Sequence, residues 1–483
     1  MDLGEDNISL TGVRPPRSVA HMSLSIIGGL VITMDRSRRV LRDGGIAIEG
    51  NTIRAVGRAE DIRRSYKSDV EINARGKAVL PGFVNAHTHL SSIFVRGVYG
   101  VLTDGLYSVL FPIKDFLRED EMYIFSLASA IEALEAGCTT VVETYNFASQ
   151  FAMASYEVGL RALVGEQIVE ADFRKVKDDI YEYSPEKGDE TLARAVKLIK
   201  EWKGNERIGV VLAPLAPDMC TPQLLERVRS ISEEYGVNVT THLAQSLREL
   251  KQIKRLYRKT PIEYLRDLNL LNSNLSVAHC IYATDRDLTM LRDAGVSILH
   301  CPRPYALNGV TAPLLKWLDL EMRVGLGTDN VYHSMFETLR AALYASRFRA
   351  TTLGEPNAAA RPTYMELLEL ATIRSAEAIG LGNEVGSIEV GKRADLLILN
   401  LLTPHLTPTL DYPSSLALYG VDENIETVII DGKIVKDKGK VLTVDRERAL
   451  LQAQEYAEAL WNRFWESNPE LRELWRASVI TSA

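Results

Sequence analysis

The sequence predicts an α/β protein: a (β/α)₈ (TIM) barrel inserted in a small β-sandwich that both termini form, with a C-terminal helical tail. Three observations support it: glycine-punctuated strands at both ends, alternating apolar and amphipathic runs in the middle, and aromatic residues at helical spacing near the end. We therefore expect an N-terminal arm or leader (1–22), a β-sandwich (23–81 and 386–445), a barrel (82–385) and a helical extension (446–483).

The two end segments share a pattern typical of antiparallel strands. Ile and Val alternate with polar residues and are interrupted by Gly, Asn and Asp, both before residue 81 and after residue 386. Such strands bury one face against a second set of strands, so we expect the two segments to combine. The first 22 residues are polar and lack the apolar core of a secretory signal, which indicates an arm or leader.

The middle segment contains eight apolar runs that are typical of buried parallel strands. Amphipathic helical stretches separate them, which indicates a parallel sheet covered by helices. Eight strands favour a closed barrel over a doubly wound open sheet, because no GxGxxG or Walker loop follows the first strand. The runs are AVLPGFVNAH, CTTVVET, RALVGEQI, IGVVLAPLAP, VNVTTHLA, NLSVAHC, VSILHCP and RVGLGTDN.

The tail from residue 446 has apolar side chains at roughly helical spacing. We interpret it as a helix docked on the barrel, with a subunit contact as the second interpretation. A homodimer or larger homo-oligomer is therefore an expectation. The side chains concerned are Leu450, Tyr456, Leu460, Trp461, Phe464 and Trp465.

Composition excludes some classes of partner. The net charge is −8 at pH 7, which argues against a nucleic-acid surface or an anionic membrane surface. No apolar run approaches the roughly 20 residues that a membrane span needs. The four cysteines form no CxxC pair and lie in or beside apolar runs, as expected for buried thiols in a reducing cytoplasm. We expect a cytoplasmic protein that binds a small molecule.

Histidines stand at the ends of the apolar runs, where the catalytic side chains of a barrel lie. One histidine at a strand end is usually structural, but several at equivalent places indicate a shared site. His87 and His89 are two residues apart on a strand, so both can point into the barrel while Thr88 points away. The strand-end residues are His87, His89, His242, His279, His300 and Asp329.

Imidazole nitrogens together with one carboxylate suit a divalent metal ion. We expect one ion, with Zn²⁺ favoured and Fe²⁺, Mn²⁺ or Co²⁺ compatible. In a catalytic site such an ion lowers the pKa of water to about 7 and so provides a nucleophile at neutral pH.

The chain resembles the amidohydrolase superfamily over nearly its whole length. It is most similar to the atrazine chlorohydrolase and aminohydrolase branch, which includes cytosine- and S-adenosylhomocysteine-deaminase-like enzymes; phenylurea and thiocarbamate hydrolases are possible closer relatives. Individually these motifs are weak, but their order is specific. The motifs are IIGGLVITMD, LPGFVNAHTHL, GCTTVVE, THLAQ, VAHC, ILHCP, LGTDN and VGSIEVGKRADLLIL.

The resemblance implies roles for these residues. His87, His89, His242 and Asp329 match the family's metal ligands, and Asp329 would also move the proton of the nucleophilic water. His279 matches the histidine that orients the water and polarises the substrate. His300 matches a histidine on the seventh strand that lines the substrate pocket in the family. The fourth strand ends in VVLAPLAP and lacks the bridging Lys or Glu of two-metal relatives, which favours a single ion.

The sequence departs from the resemblance beside the third histidine. Deaminases of the family have HxxE there, whereas this chain has Gln245 in THLAQS. A glutamic acid can protonate a ring nitrogen and then the leaving amine, but glutamine can only form hydrogen bonds. We assign Gln245 to the catalytic residues, with its role in proton delivery left open.

The pocket residues also depart from the nucleoside deaminases. Pro304 and Tyr305 replace Ser-Asn, and Leu215 replaces a histidine, which predicts a more apolar substrate unless the loops have simply drifted. Glu143 is a candidate to replace the missing acid at the substrate, although a structural ion pair or helix cap is the other interpretation. The remaining predicted substrate contacts are Tyr305, Asn308, Arg303 and Arg96.

These residues lead to three hypotheses. The first is a metal-dependent amidohydrolase that cleaves a non-peptide C–N bond of a small apolar urea, carbamate or amide, because attack on such a carbonyl needs the missing acid least. The alternative is a deaminase or dechlorinase of an N-heterocycle such as a triazine, pterin, purine or pyrimidine. A non-catalytic binding protein is the third and conflicts with the full set of ligands.

Overall fold

The computed structural model describes residues 23–98, 105–176, 178–354 and 360–480, so the predicted arm of residues 1–22 lies outside the described residues. Within these residues, the strands are β1 (Ser23–Ile32), β2 (Val40–Glu49), β3 (Thr52–Arg58), β4 (Val70–Asn73), β5 (Lys77–Pro81), β6 (Phe83–His89), β7 (Cys138–Tyr145), β8 (Arg161–Ile168), β9 (Ile208–Val210), β10 (Ala213–Pro214), β11 (Val239–Leu243), β12 (Leu275–His279), β13 (Ser297–His300), β14 (Val324–Leu326), β15 (Asp329–Asn330), β16 (Leu396–Asn400), β17 (Ile425–Ile430), β18 (Lys433–Asp437) and β19 (Lys440–Val441).

The helices of the same residues follow in chain order. They are α1 (Ala59–Ser65), α2 (Glu119–Glu135), α3 (Ala148–Val158), α4 (Phe173–Val176), α5 (Pro185–Glu201), α6 (Pro222–Tyr235), α7 (Leu247–Tyr257), α8 (Pro261–Asp267), α9 (Asp285–Asp293), α10 (Pro302–Leu307), α11 (Leu314–Asp319), α12 (Met335–Thr352), α13 (Tyr364–Leu370), α14 (Ile373–Ala378), α15 (Tyr412–Tyr419), α16 (Arg446–Ser467) and α17 (Pro469–Ile480). Short single-turn helices add Leu90–Val95, Leu106–Leu110, Pro112–Phe116, Pro217–Met219 and Asp422–Asn424.

Strands from both ends of the chain form one nine-stranded sheet. Its order is β19-β18-β17-β16-β5-β1-β2-β3, with β4 on β1. The antiparallel pairing of β5 with β16 joins the N-terminal strands to the C-terminal ones. Buried Ile, Leu and Val side chains from both ends share a core beneath this sheet, as their alternation predicts.

The middle of the chain forms the predicted barrel. Parallel pairing runs from β6 through β7 to β8 and its neighbours β9 and β10, and again from β11 through β12 and β13 to β14. A parallel bridge between Leu212 and Val239 joins the two sets, and the pairing of β15 with β6 closes the circle. Counting β9–β10 and β14–β15 as one broken strand each gives eight, so the fold class is confirmed.

Local sequence signals set the ends of several barrel helices. Thr260, Thr284 and Thr363 each accept a hydrogen bond from the third residue of the helix that follows, whose acidic side chain bonds back. This capping box satisfies backbone N–H groups that a helix start would otherwise leave without partners. The barrel interior is filled by small and branched side chains such as Val84 and Ala278, so it is a packed core rather than a pore.

The tail forms two helices, and α16 docks on the barrel. The Trp461 indole Nε1 donates to the Phe94 carbonyl oxygen at 2.6 Å, and Arg463 pairs with the buried carboxylate of Glu121 at 2.6 Å. This agrees with the docked helix that we preferred over a subunit contact. In the described residues, no helix is both long and apolar enough to cross a membrane.

Candidate metal centre

The predicted metal ligands meet at one end of the barrel. His87 and His89 lie on β6 and His242 on β11, each toward the carboxyl end of its strand, and Asp329 begins β15, three residues after β14 ends. The alternation of a strand directs His87 and His89 inward. Thr88, between them, points the other way, and its hydroxyl donates to the Glu143 carboxylate at 2.7 Å.

The ring nitrogens and the carboxylate are close enough to share one ion. The Nε2 atoms of His89 and His242 are 3.1 Å apart, and His89 Nε2 is 3.6 Å from Asp329 Oδ1. Two overlapping sets have all their ligand atoms within 4.8 Å of one another: His87 with His242 and His279, and His87 with His89 and Asp329. His279 ends β12, so the structure also brings the predicted water-orienting histidine into the cluster.

Unpaired buried nitrogens indicate that this cluster is built for a metal. Both ring nitrogens of His87 and Nδ1 of His279 are buried without a hydrogen-bond partner among the described residues. Buried polar atoms are nearly always paired, so each exception requires an explanation. A divalent ion accepting the His87 lone pair is the simplest one, and a His and Asp donor set suits Zn²⁺.

Backbone carbonyls orient two of the imidazoles. His89 Nδ1 lies 2.7 Å from the Thr144 carbonyl oxygen, and His242 Nδ1 lies 2.6 Å from that of Leu215. A carbonyl can only accept, so each Nδ1 carries the proton and each Nε2 presents a lone pair to the cluster. Partners of this kind hold metal-binding histidines in one tautomer and orientation.

Burial keeps the histidines in the charge state that binds a metal ion, but it disfavours the charged form of the aspartate. Desolvation lowers the pKa of His242 to about 4 and holds the pKa of His87, His89 and His279 well below the usual value, so the imidazoles are neutral. Burial also raises the pKa of Asp329 to about 7. Neutral imidazoles are the form that binds a metal ion.

The backbone is strained where two of these side chains enter the site. His279 has φ 79° and Asp329 has φ 65°, in the left-handed region that non-glycine residues rarely adopt. Such strain persists only where the surrounding structure enforces it, and it concentrates at functional sites. Here it turns the two side chains toward the cluster at the point where their strands end.

Tyr305 and His300 lie on the His279 side of the cluster. The Tyr305 ring centroid is 4.8 Å from that of His279, and both residues line a small cavity together with His300. His300 also packs edge-on against Trp317 with ring centroids 5.4 Å apart, and burial lowers its pKa to about 3. These two predicted pocket residues are therefore close to the reacting end of the site.

Gln245 reaches the same side from the loop after β11. Its side-chain Oε1 lies 3.4 Å from the Tyr305 hydroxyl, which donates a long hydrogen bond. The backbone N–H groups of Ala244 and Gln245 each donate at 2.8 Å to the carboxylate of Glu249. A buried acid thus holds the loop that carries Gln245, although no acid occupies position 245 itself.

Three predicted substrate contacts have polar partners within the protein. Glu143 accepts the N–H groups of Leu90 and Ser91 at 2.6 and 3.1 Å and the Thr88 hydroxyl, so it anchors the chain behind β6. These partners favour the structural interpretation of Glu143, and its contact with substrate stays a prediction. Arg96 and Asn308 have other partners as well.

Arg96 pairs with Glu132 at 2.7 Å and lines the cavity beside the C-terminal helices, away from the histidine cluster. The exposed Asn308 donates its side-chain N–H to the Pro304 carbonyl oxygen at 2.9 Å and so caps α10. Arg303 remains near the site on α10, but its guanidinium pairs with Glu337 at 2.6 Å. Each of these polar groups is thus paired within the protein.

The sequence model of a known protein family matches most of the chain. The model described as "Amidohydrolase family" matches residues 78–435, which include all the strand-end histidines. The chain belongs to the amidohydrolase family. The resemblance stated from the motifs is thereby confirmed, as is the prediction of a hydrolase.

Several amidohydrolases are similar to this one over almost their whole length. A 5-methylthioadenosine/S-adenosylhomocysteine deaminase of Caldanaerobacter subterraneus is 32% identical, covering 91% of this chain and 99% of the relative. A 5'-deoxyadenosine deaminase of Methanosarcina mazei is 30% identical, with 89% and 96% covered. Both names describe deamination of an N-heterocycle, so these relatives favour our alternative hypothesis over urea or carbamate hydrolysis.

Solved structures support the same fold. An adenosine deaminase from Xanthomonas campestris with bound zinc has a TM-score of 0.83 at 27% identity, covering 91% of this chain and 98% of that one. The zinc complex of atrazine chlorohydrolase from Arthrobacter aurescens has a TM-score of 0.80 at 24% identity, with 90% and 100% covered. The second likeness concerns the fold alone.

Two polar residues near this amidohydrolase centre were absent from the sequence prediction. Gln167 lines a narrow space with His87 and His242, and its Nε2 donates to the Thr144 carbonyl oxygen at 3.1 Å. A polar residue in the apolar run RALVGEQI was an available signal. Lys114 donates to Gln167 at 2.8 Å from the segment after β6, and no strand-end pattern marks its position.

Proposed function

We propose that this amidohydrolase catalyses hydrolytic deamination: water displaces an amino group from a ring carbon of a small N-heterocycle. The observation that carries the proposal is the buried cluster of neutral imidazoles and one carboxylate, with nitrogens that lack protein partners. The deaminase names of the relatives support the reaction class. Tyr305 and Leu215 at the site favour a ring compound more apolar than a nucleoside.

The ligands of the one divalent ion would be His87, His89, His242 and Asp329. Zn²⁺ is favoured, because two solved relatives of the same fold contain zinc. When bound, the ion supplies a water acidic enough to act as a nucleophile at neutral pH.

The protein's own groups then handle the protons. Asp329 accepts one proton from the attacking water and delivers it to the amino group, which leaves as ammonia when its C–N bond breaks. The hydroxyl that remains on the ring carbon loses its proton to the neighbouring ring nitrogen, which gives a ring carbonyl. The neutral imidazole of His279 hydrogen-bonds the attacked end of the substrate and polarises it. Gln245 contributes a hydrogen bond from its amide, because it has no proton to give.

One observation favours a second candidate, the hydrolysis of an amide-like carbonyl. Gln245 stands where the deaminase pattern has an acid, and attack on a carbonyl outside a ring needs that acid least. The cluster and Asp329 would serve this reaction equally. The two candidates therefore differ in the substrate and in what an acid at position 245 would add.

The deciding experiment is a substrate screen on zinc-loaded protein with its metal content measured. The screen compares adenosine-type compounds, pterins and triazines with arylureas and carbamates, and it follows ammonia release and product mass. Deamination of at least one N-heterocycle, absent from His87→Ala and from chelator-treated protein, is the expected result. Turnover confined to ureas or carbamates would replace the proposal with the second candidate, and equal turnover by His87→Ala would reject the metal centre.

A further inference from the structure

One cation at the barrel mouth has no role in the reaction described so far. Lys114 lies in the short helix Pro112–Phe116, on the segment that runs between β6 and α2. Its side chain is only partly buried, yet its ammonium group lies among aromatic rings. The Nζ atom is 4.4 Å from the ring centroid of Tyr145 and 5.4 Å from those of Phe111 and Phe173.

Lys114 is linked to the metal centre through two neighbours. Its Nζ donates to Gln167 Oε1 at 2.8 Å, and Gln167 lines the narrow space beside His87 and His242. The Tyr145 ring, which the ammonium faces, lies 6.0 Å from the imidazole of His89, centroid to centroid. The cation therefore lies one residue behind the histidine cluster, with Gln167 and Tyr145 between them.

Among the described residues, Lys114 forms no ion pair, although the carboxylate of Glu166 attracts it. In the described part of the chain, its hydrogen bond goes to a neutral amide, while the nearby Glu166 is held by Arg194 at 2.9 Å. A second cation, Lys187, lies 4.3 Å from the same Phe173 ring. Burial, and then repulsion from Lys187, lowers the pKa of Lys114 to about 7.

An ammonium with one neutral hydrogen-bond partner and a like charge nearby is arranged to receive an anion. Three aromatic rings leave it weakly hydrated, which strengthens a new charged contact. Phe111 and Phe173 stack with ring centroids 4.4 Å apart and form an apolar wall beside it. A flat ring carrying one carboxylate matches both features, whereas a phosphate would require more donors than this single lysine offers.

We propose that Lys114 is a substrate-recognition residue that binds a carboxylate on the substrate, so that the preferred N-heterocycles carry an acidic group. This inference rests on the proposed function, because it names the substrate class of the same site. Arginine at this position would keep the charge, and methionine would keep the length and the apolar contacts without it.

The test uses two ligand pairs that differ in a carboxylate: pterin with pterin-6-carboxylate, and adenosine with adenosine-5'-carboxylate. Calorimetric titration measures each affinity for zinc-loaded wild type, Lys114→Met, Lys114→Arg and the exposed control Lys251→Met. We expect the wild type and Lys251→Met to bind one acidic ligand at least about tenfold more tightly than its neutral twin. Lys114→Met should lose that preference while its affinity for the neutral twin stays within about threefold, and Lys114→Arg should retain part of it.

Melting temperatures measured beside the titrations separate recognition from a structural role. A recognition residue predicts that Lys114→Met melts at or above the wild-type temperature, because an unbalanced charge is removed. A lower melting temperature with equal loss of both ligands would overturn the proposal, as would a wild type without preference in either pair. If the preference exists and depends on Lys114 but no heterocycle is deaminated, the recognition role stands and the proposed reaction fails.

Discussion

The two sides of the barrel mouth differ in what holds their polar groups. On one side, His89 and His242 stand on strands, and backbone carbonyls at 2.7 and 2.6 Å fix their rings. On the other side, Gln245 and Tyr305 stand on a loop and on the six-residue helix α10, joined by a contact of 3.4 Å. The strands of the barrel hold the first side in place, whereas the second side depends on how its loop and short helix pack.

This difference separates two halves of the chemistry. The strand side carries the cluster that could hold a metal ion, and in our proposal it activates the water. The loop side departs from the deaminase pattern at Gln245, where no proton can be released. The position that sets proton delivery is therefore the one that the barrel constrains least, as expected for specificity carried by loops on a rigid scaffold.

The largest expected effect tests the strand side. His87→Ala removes a ligand whose nitrogens have no protein partner, so we expect loss of the bound metal and a decrease in kcat/KM of about 1000-fold or more. Metal analysis and steady-state kinetics measure both. His405→Ala, which changes a histidine outside the barrel, should keep the metal and the rate; full activity of His87→Ala would contradict the assignment.

The support beneath the loop side is tested at Glu249. Glu249→Ala leaves the N–H groups of Ala244 and Gln245 without an acceptor, which we expect to cost about 2–4 kcal/mol of unfolding free energy. Glu249→Gln keeps one acceptor oxygen but turns its NH2 toward the second N–H, so we expect it to lose about half as much as Glu249→Ala.

Denaturant unfolding measures both changes. The exposed Glu226→Ala serves as the control and should shift stability by about 0.5 kcal/mol or less. Equal losses for Glu249→Ala and Glu249→Gln would contradict this account, because the single oxygen of glutamine would then contribute nothing.

Proton delivery is tested by restoring an acid on the loop side. Gln245→Glu should raise the rate of heterocycle deamination about tenfold to a hundredfold, because general acid catalysis typically contributes at least that much. Gln245→Met and Tyr305→Phe are the matched control variants, because neither introduces an acid that could deliver a proton. Neither should exceed the wild-type rate. A slower Gln245→Glu enzyme on every N-heterocycle would favour the amide-hydrolase candidate.

The last prediction concerns how the unfolding free energy depends on pH through Lys114. This side chain faces Lys187, Glu166 and Tyr145. Its folded-state pKa of about 7 lies below the value of 10.5 in the unfolded chain, so the folded state holds fewer protons between these limits. Wild-type stability should therefore rise, relative to Lys114→Met, as the pH increases from 7 to 10.5. We expect the advantage of Lys114→Met to shrink steadily as the pH rises from 6 to 10.

Chemical denaturation at pH 6, 8 and 10 measures this advantage. Lys251→Met, on the exposed face of α7, should show none at any pH. An advantage that grows with pH would mean that the charge of Lys114 is already balanced in the folded protein.

The sequence alone was sufficient for the barrel, the inserted topology and the histidine and aspartate cluster. Strand periodicity is local, and the carboxyl ends of parallel strands must meet at one end of a barrel, so residues as distant as His87 and Asp329 could be brought together without coordinates. The departure at Gln245 was equally visible, because it lies at a set distance from His242 on one strand and its loop.

Only the tertiary structure decided the contacts of side chains that leave the strand ends. Glu143 follows the same pattern as the cluster residues, but it pairs with Thr88 across β6 and β7, and its carboxylate holds the backbone of Leu90 and Ser91. Lys114 lies 53 residues before Gln167, its hydrogen-bond partner, on a segment without strand periodicity. Such contacts depend on how loops fold over the barrel, and no local pattern encodes that packing.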